Sequence, residues 1–214
     1  MLQTKAIDPA TLELIKSLQS KNYLDGFYLV GGTALALYSG HRLSIDIDLF
    51  SDFSFNTAEL LESLQQDFPV QLYHTAANTI KGSIEKINID IIAHRYPYLF
   101  EPSVIDGIKI LSEPDIIAMK LNAISSSGQR SKDFIDIFFI LEEKKFSVAE
   151  MLKFYRSKYQ QDSDMHIIKS LIWFDDVDLA DWPVLLKKPH LKWDDVKKKI
   201  KKEVLSHMKG SKLD

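Results

Sequence analysis

No cysteine occurs in the chain, so disulfides, thiolate zinc sites and cysteine nucleophiles are excluded. No apolar run approaches the roughly 20 residues that span a bilayer, and the first residues, Met-Leu-Gln-Thr-Lys-Ala-Ile-Asp-Pro, lack the apolar core of a secretory signal. A soluble cytoplasmic protein without membrane contact is the expectation. A strong excess of one charge is also missing. With 27 Lys and Arg against 30 Asp and Glu, the formal charge is −3 and the pI is near 6.1. That balance argues against wholesale electrostatic wrapping of nucleic acid and leaves room for a local basic patch. Internal repeats are absent, and the only biased tract is the lysine-rich end.

What is present is apolar material, 45% of 214 residues, enough for real cores. The length exceeds a typical single-core domain and fits one large unit or two closely packed lobes.

The stretch from Tyr28 to Phe50 organises the rest. Phe27 to Val30 is apolar and strand-like, Gly31-Gly32 permits backbone angles and close approach that a side chain forbids, and Thr33 is placed to cap a short helix that Gly40 ends. The next strand reads Ile45-Asp46-Ile47-Asp48-Leu49. Side chains two apart share a face, so Asp46 and Asp48 point one way and the three apolar residues the other. Two carboxylates about 4 Å apart at an effective dielectric near 20 repel by about 4 kcal/mol. Water at an exposed strand edge is one remedy. A hard cation is the other, and an oxygen-only donor set favours Mg²⁺ or Mn²⁺ over zinc.

Around this block, Asp8-Pro9 opens an amphipathic helix through Leu12, Ile15 and Leu18. Asn56 or Thr57 opens another to about Asp67, with Pro69 blocking its extension. From Val70 to His94 the pattern is strand-like in three segments, Val70–His74, Thr79–Ile84 and Ile87–His94. In the last, alternation sets Asn88, Asp90 and Ile92 on one face and Ile87, Ile89 and Ile91 on the other. Asp90 is thereby either a solvated edge-strand acid or a third carboxylate beside Asp46 and Asp48. Three clustered carboxylates suit two-metal phosphoryl chemistry, with one acid, Asp90, able to take a proton from an attacking hydroxyl. Asp106-Gly107 between Val104-Ile105 and Ile108–Leu111 reads as a tight hairpin.

Beyond residue 111 the strands stop. Ser112-Glu-Pro-Asp115 is a helix start, and Ile117, Lys120, Leu121 and Ile124 share a face on the helix it opens. Lys120 thus sits in an apolar stripe, where it either snorkels to water or meets an anion. A polar loop, Ser125–Gln129, leads to Arg130-Ser-Lys132-Asp133-Phe-Ile-Asp136, and from Phe134 to Leu141 every residue but Asp136 is apolar. Asp136 calls for a cation partner, Lys120 or Lys132, while Arg130 and Lys132 stand at the electropositive helix start. Ser147–Glu150 is a capping box, and a further helix covers Asp164 to Ile172. Trp173 to Asp176 with Trp182-Pro183 reads as an aromatic corner in which Asp175 and Asp176 serve turns and caps. At the end, Trp193, Val196, Ile200 and Val204 keep helical spacing, with lysines 197, 198, 199, 201 and 202 largely elsewhere. That face is either solvated or turned to RNA phosphates.

Gly31-Gly32-Thr33, Arg42, Asp46-x-Asp48 and the segment Lys120…Arg130-x-Lys132-Asp133-x-x-Asp136 together resemble the AbiEii/AbiGii toxin group of bacterial type IV toxin–antitoxin systems, within the nucleotidyltransferase superfamily related to DNA polymerase beta. The resemblance runs from about residue 27 to beyond residue 200. It implies that Gly31, Gly32, Thr33 and Arg42 belong to a phosphate-cradling turn and that Asp46, Asp48 and Asp90 hold the metal ions. It also implies that Lys120, Arg130, Lys132, Asp133 and Asp136 contribute to nucleotide binding and activity. The fold expected is α/β: a palm-like, mixed, mainly antiparallel sheet with helices over 1–111, then a helical lobe over 112–214, with the active cleft between them. The expected function is Mg²⁺- or Mn²⁺-dependent transfer of a nucleoside monophosphate from a nucleoside triphosphate to an acceptor hydroxyl, with tRNA or another RNA favoured and a cognate antitoxin as partner. The alternatives are a protein or small-molecule acceptor, and a module that senses GTP or another nucleotide without turnover.

Overall fold

The computed structural model describes residues 1–210 and divides into two compact units, Met1–Ser112 and Glu113–Asp214. The first is an α/β unit around one mixed sheet. Its helices are α1 (Pro9–Gln19), α2 (Gly31–Ser39) and α3 (Thr57–Asp67). Its strands are β1 (Tyr28–Leu29), β2 (Ile47–Ser51), β3 (Val70–Ala76), β4 (Thr79–Ile84), β5 (Ile87–Ala93), β6 (Ser103–Ile105) and β7 (Ile108–Ile110), in the spatial order β3-β4-β5-β2-β1-β7-β6. The pairs β2–β5 and β1–β7 are parallel and the others antiparallel. A mixed, mainly antiparallel sheet is the one expected of the palm-like unit.

Alternation decides the two faces. In β2, Ile47, Leu49 and Ser51 are buried while Asp48 and Phe50 are half-exposed; in β5, Ile89 and Ile91 are buried between less buried neighbours. The covering helices start where local chemistry dictates. Asp8 accepts a hydrogen bond from the Ala10 amide, with Pro9 behind it, and Asn56 caps α3 through the amides of Ala58 and Glu59. Asp106 and Gly107, at φ 53° and 81°, make the two-residue turn between β6 and β7. The β4–β5 turn uses Glu85 and Lys86, also at positive φ, without any glycine to announce it.

The second unit is helical: α4 (Glu113–Ser126), α5 (Ser131–Glu142), α6 (Val148–Tyr159), α7 (Met165–Leu171) and α8 (Trp193–Gly210). Helix α4 runs two residues further than expected, taking Ser125 and Ser126 out of the polar loop, because both hydroxyls hydrogen-bond back to the Asn122 carbonyl and so cost the helix no exposed acceptor. Ser147 and Glu150 form the capping box of α6. The aromatic corner gathers Phe134, Phe174, Trp182 and Trp193. Trp173 stays outside it, 56% exposed, with its indole N–H on Asp176. No helix among the described residues is long and apolar enough to cross a membrane.

Candidate functional site

In the first unit the turn after β1 meets the start of β2. The Val30 amide donates to the Asp48 carbonyl, which ties the glycine pair to the acidic strand. Gly31 sits at φ +72°, and a Cβ on it would lie 2.0 Å from Asp48 Oδ2; a Cβ on Gly32 would lie 2.2 Å from an Arg42 guanidinium nitrogen. Both glycines therefore let a charged side chain, Asp48 at one and Arg42 at the other, close on the backbone. Arg42 is buried, 2% exposed, and donates to the Leu43 carbonyl.

Two local expectations are corrected here. Val30, not Thr33, is the N-cap of α2. The Thr33 hydroxyl is buried and turned to the Ser44 hydroxyl and the Asp46 carbonyl, because backbone leaving the helix for β2 passes beside it with an acceptor to satisfy. And β2 begins at Ile47, so Asp46 precedes the strand and Ile45, expected on the apolar face, is 59% exposed. The ladder cannot extend back to it, since the pairing with β5 starts at Ile47 and Ile89.

Register sets two of the three predicted carboxylates, Asp48 and Asp90, opposite each other and leaves Asp46 outside the ladder. Asp48 on β2 stands opposite Asp90 on β5 in the parallel pair, and Asp90 stands opposite Lys81 on β4 in the antiparallel pair. Direct neighbours in a sheet share a face, so Asp48, Asp90 and Lys81 form a row across three strands. Lys81 Nζ makes an ion pair with Asp90 Oδ2, and Asn88 Nδ2 donates to Asp46 Oδ1 at 3.0 Å. β5 is interior to the sheet, which removes the edge-strand account of Asp90. Among the described residues no three His, Cys, Asp or Glu side chains stand together as a group able to hold a metal ion. Asp46 instead turns to Asn88 and Asp90 to Lys81, the relief open to like charges near one another. Carboxylate oxygen is the donor type that Mg²⁺ and Mn²⁺ prefer.

Sequence reading passed over Lys81 and the Asn88–Asp46 bond. Thr79, Lys81 and Ser83 alternate with Ile80 and Ile84, so the face of Lys81 was readable. Its partner depended on register, which local pattern does not carry.

In the helical unit Lys120, 6% exposed, reaches Asp133 Oδ1 at 2.6 Å and Asp136 Oδ2 at 2.9 Å. Asp133 and Asp136 are 2% and 1% exposed. Of the two cations offered for Asp136, Lys120 is the one used. Lys132 pairs with Asp181 at 2.5 Å, and exposed Arg130 makes a backbone bridge to Asp178. A second buried pair, Lys158 with Asp115 at 2.8 Å, joins α6 to α4 and had no local signal.

The family description "Nucleotidyl transferase AbiEii toxin, Type IV TA system" matches residues 14–207. A protein of Aquifex aeolicus (strain VF5), described as uncharacterized, is 28% identical over 202 residues, 92% of this chain and 96% of that one. A Helicobacter pylori crystal structure, provisionally described as a nucleotidyltransferase, superimposes with a TM-score of 0.54 at 18% identity, covering 97% of this chain and 99% of that one. This likeness supports the fold.

Proposed function

The chain belongs to the AbiEii family of nucleotidyltransferases, described as type IV toxins, and from that premise we propose that it transfers a nucleoside monophosphate from a nucleoside triphosphate to an acceptor hydroxyl. The observation that carries the reading is the facing of Asp48 and Asp90 in register, with the Gly31 backbone against Asp48. Asp46, Asp48 and Asp90 are the residues that would hold Mg²⁺ or Mn²⁺. Such an ion, when bound, supplies neutralisation of charge on the phosphoryl oxygens. Gly31, Gly32 and Thr33 with Arg42 bind and orient the triphosphate. Asp90 takes the proton from the acceptor hydroxyl as its oxygen bonds to the α-phosphorus, and the bond to the β-phosphate oxygen breaks to release pyrophosphate.

Lys120 and Asp136, with Asp133, form a buried triad of one ammonium and two carboxylates that ties α4 to the start of α5, and so positions Arg130 and Lys132. Arg130 and Lys132 are the phosphate-binding cations, Lys132 after leaving its solvent-facing partner Asp181. RNA is the favoured acceptor, supported by an open cavity of about 490 Å³ in the helical unit where Lys198, Lys199 and Lys202 of α8 and Lys188 ahead of it outnumber the acids Glu142 and Asp195, a net basic lining that suits a phosphate backbone. A cognate antitoxin protein is the partner that the family description implies.

The test is incubation with each labelled triphosphate, Mg²⁺ and total RNA, following both pyrophosphate release and the molecule that gains the label. Label on RNA, lost in Asp48→Asn while the protein stays folded, is the expected result. Label on protein or a small molecule instead would move the acceptor class. Triphosphate binding without pyrophosphate from any acceptor would replace transfer by nucleotide sensing.

A further inference from the structure

We infer that Lys81 is the internal counter-ion of Asp90, an ammonium that holds this carboxylate while no divalent ion is bound and competes with the ion for it. The inference rests on the reading of Asp46, Asp48 and Asp90 as metal-holding residues and adds to it a residue which that reading does not include.

The geometry is a single row. Lys81, Asp90 and Asp48 occupy opposed positions on β4, β5 and β2, so the ammonium meets Asp90 from the side away from Asp48. The two groups remain wet: the Lys81 side chain is 42% exposed and that of Asp90 30%. A pair so placed is screened by water and opens readily, unlike the buried pair of Lys158 and Asp115, whose side chains are 1% and 0% exposed. The four-carbon stem lets the ammonium swing off Asp90 without moving the strand. Opposed to an isolated aspartate, a lysine is an ordinary cross-strand partner. Opposed to one that has a second carboxylate beside it, the lysine cancels a repulsion that a divalent ion would otherwise cancel. Removing its charge therefore takes the ammonium off Asp90 and leaves that carboxylate open to an added cation.

The experiment is calorimetric titration of the full chain with Mn²⁺ alone, with no nucleotide present. Lys81→Met is expected to bind Mn²⁺ about tenfold more tightly than the wild type, about 1.4 kcal/mol. Lys81→Arg, which keeps the cation, is expected to stay close to the wild type. In an Asp90→Asn background the Lys81→Met change is expected to make no difference. Equal or weaker Mn²⁺ binding by Lys81→Met overturns the inference and leaves the metal reading standing. A gain that persists in Asp90→Asn also overturns it, since the effect would then be one of overall charge. No Mn²⁺ binding by the wild type or any variant overturns the metal reading itself, and the inference with it.

Discussion

At Gly31 two costs of a side chain can be measured apart. The backbone stands at φ +72° and the absent Cβ would overlap an Asp48 oxygen, whereas Gly107 stands at φ +81° with nothing within 4 Å of its Cβ position. Alanine at either site incurs the left-handed backbone cost of about 1–2 kcal/mol. Only Gly31→Ala also pushes Asp48 out of place. Gly31→Ala is therefore expected to abolish transfer with the larger loss of stability in urea melts, and Gly107→Ala to keep transfer with the backbone cost alone. Equal activity in both variants would remove the close approach from the mechanism. Thr33 belongs to the same scale, since its hydroxyl holds the Asp46 carbonyl. Thr33→Val should cost about 1 kcal/mol, read in the same melts.

Between elements the helical unit is pinned by charge as well as by apolar packing. Lys158→Met leaves the Asp115 carboxylate buried without its ammonium, and the expected loss is about 3–5 kcal/mol by chemical denaturation. Helices α5 and α8 are joined differently, through Glu142, which accepts from Lys188 at 2.5 Å and pairs with Lys199 at 3.3 Å. The hydrogen bond from Lys188, aided by Lys199 and opposed by partial burial, holds the Glu142 carboxyl below its ordinary value of 4.5. A carboxyl whose folded pKa is depressed stabilises the fold above the unfolded value, and that contribution fades as the pH falls through the folded one. Wild type and Glu142→Gln should therefore differ in melting temperature at pH 6 and converge below pH 4.5. A gap that stays constant across that window would remove Glu142 from the acid response.

Across the whole molecule, the carboxylate row lies in the unit Met1–Ser112, so a bound divalent ion should stabilise that unit first. At a free concentration one hundred times the dissociation constant, binding adds about 2.7 kcal/mol, and at about 2–4 °C per kcal/mol for a chain of this size the shift is about 5–10 °C. The wild type should show it with Mn²⁺, and Asp48→Asn should not. Hydrogen exchange should then slow in β2, β4 and β5 before it slows in the helices beyond Glu113. Uniform protection of both units would argue for binding elsewhere. Net charge is a property of this scale too: at −3, any RNA contact depends on the local lysines of α8 and should weaken steeply with salt.

Local chemistry determined most of the elements. Asp8-Pro9, Asn56, Asp106-Gly107, the Ser147–Glu150 box and the spacing of Trp193, Val196, Ile200 and Val204 act within a few residues, and each is where the chain placed it. The α/β class and the family followed from the same short-range text, and so did the faces of Asp48 and Asp90. Only the tertiary structure decided which residues meet. That Asp48 opposes Asp90, that Lys81 opposes Asp90 from the other side, that Lys120 rather than Lys132 answers Asp136, and that Lys158 finds Asp115 are matters of strand register and helix packing. Such choices are made by the burial of many side chains at once, and a one-residue slip would reverse every face, so no segment carries them alone.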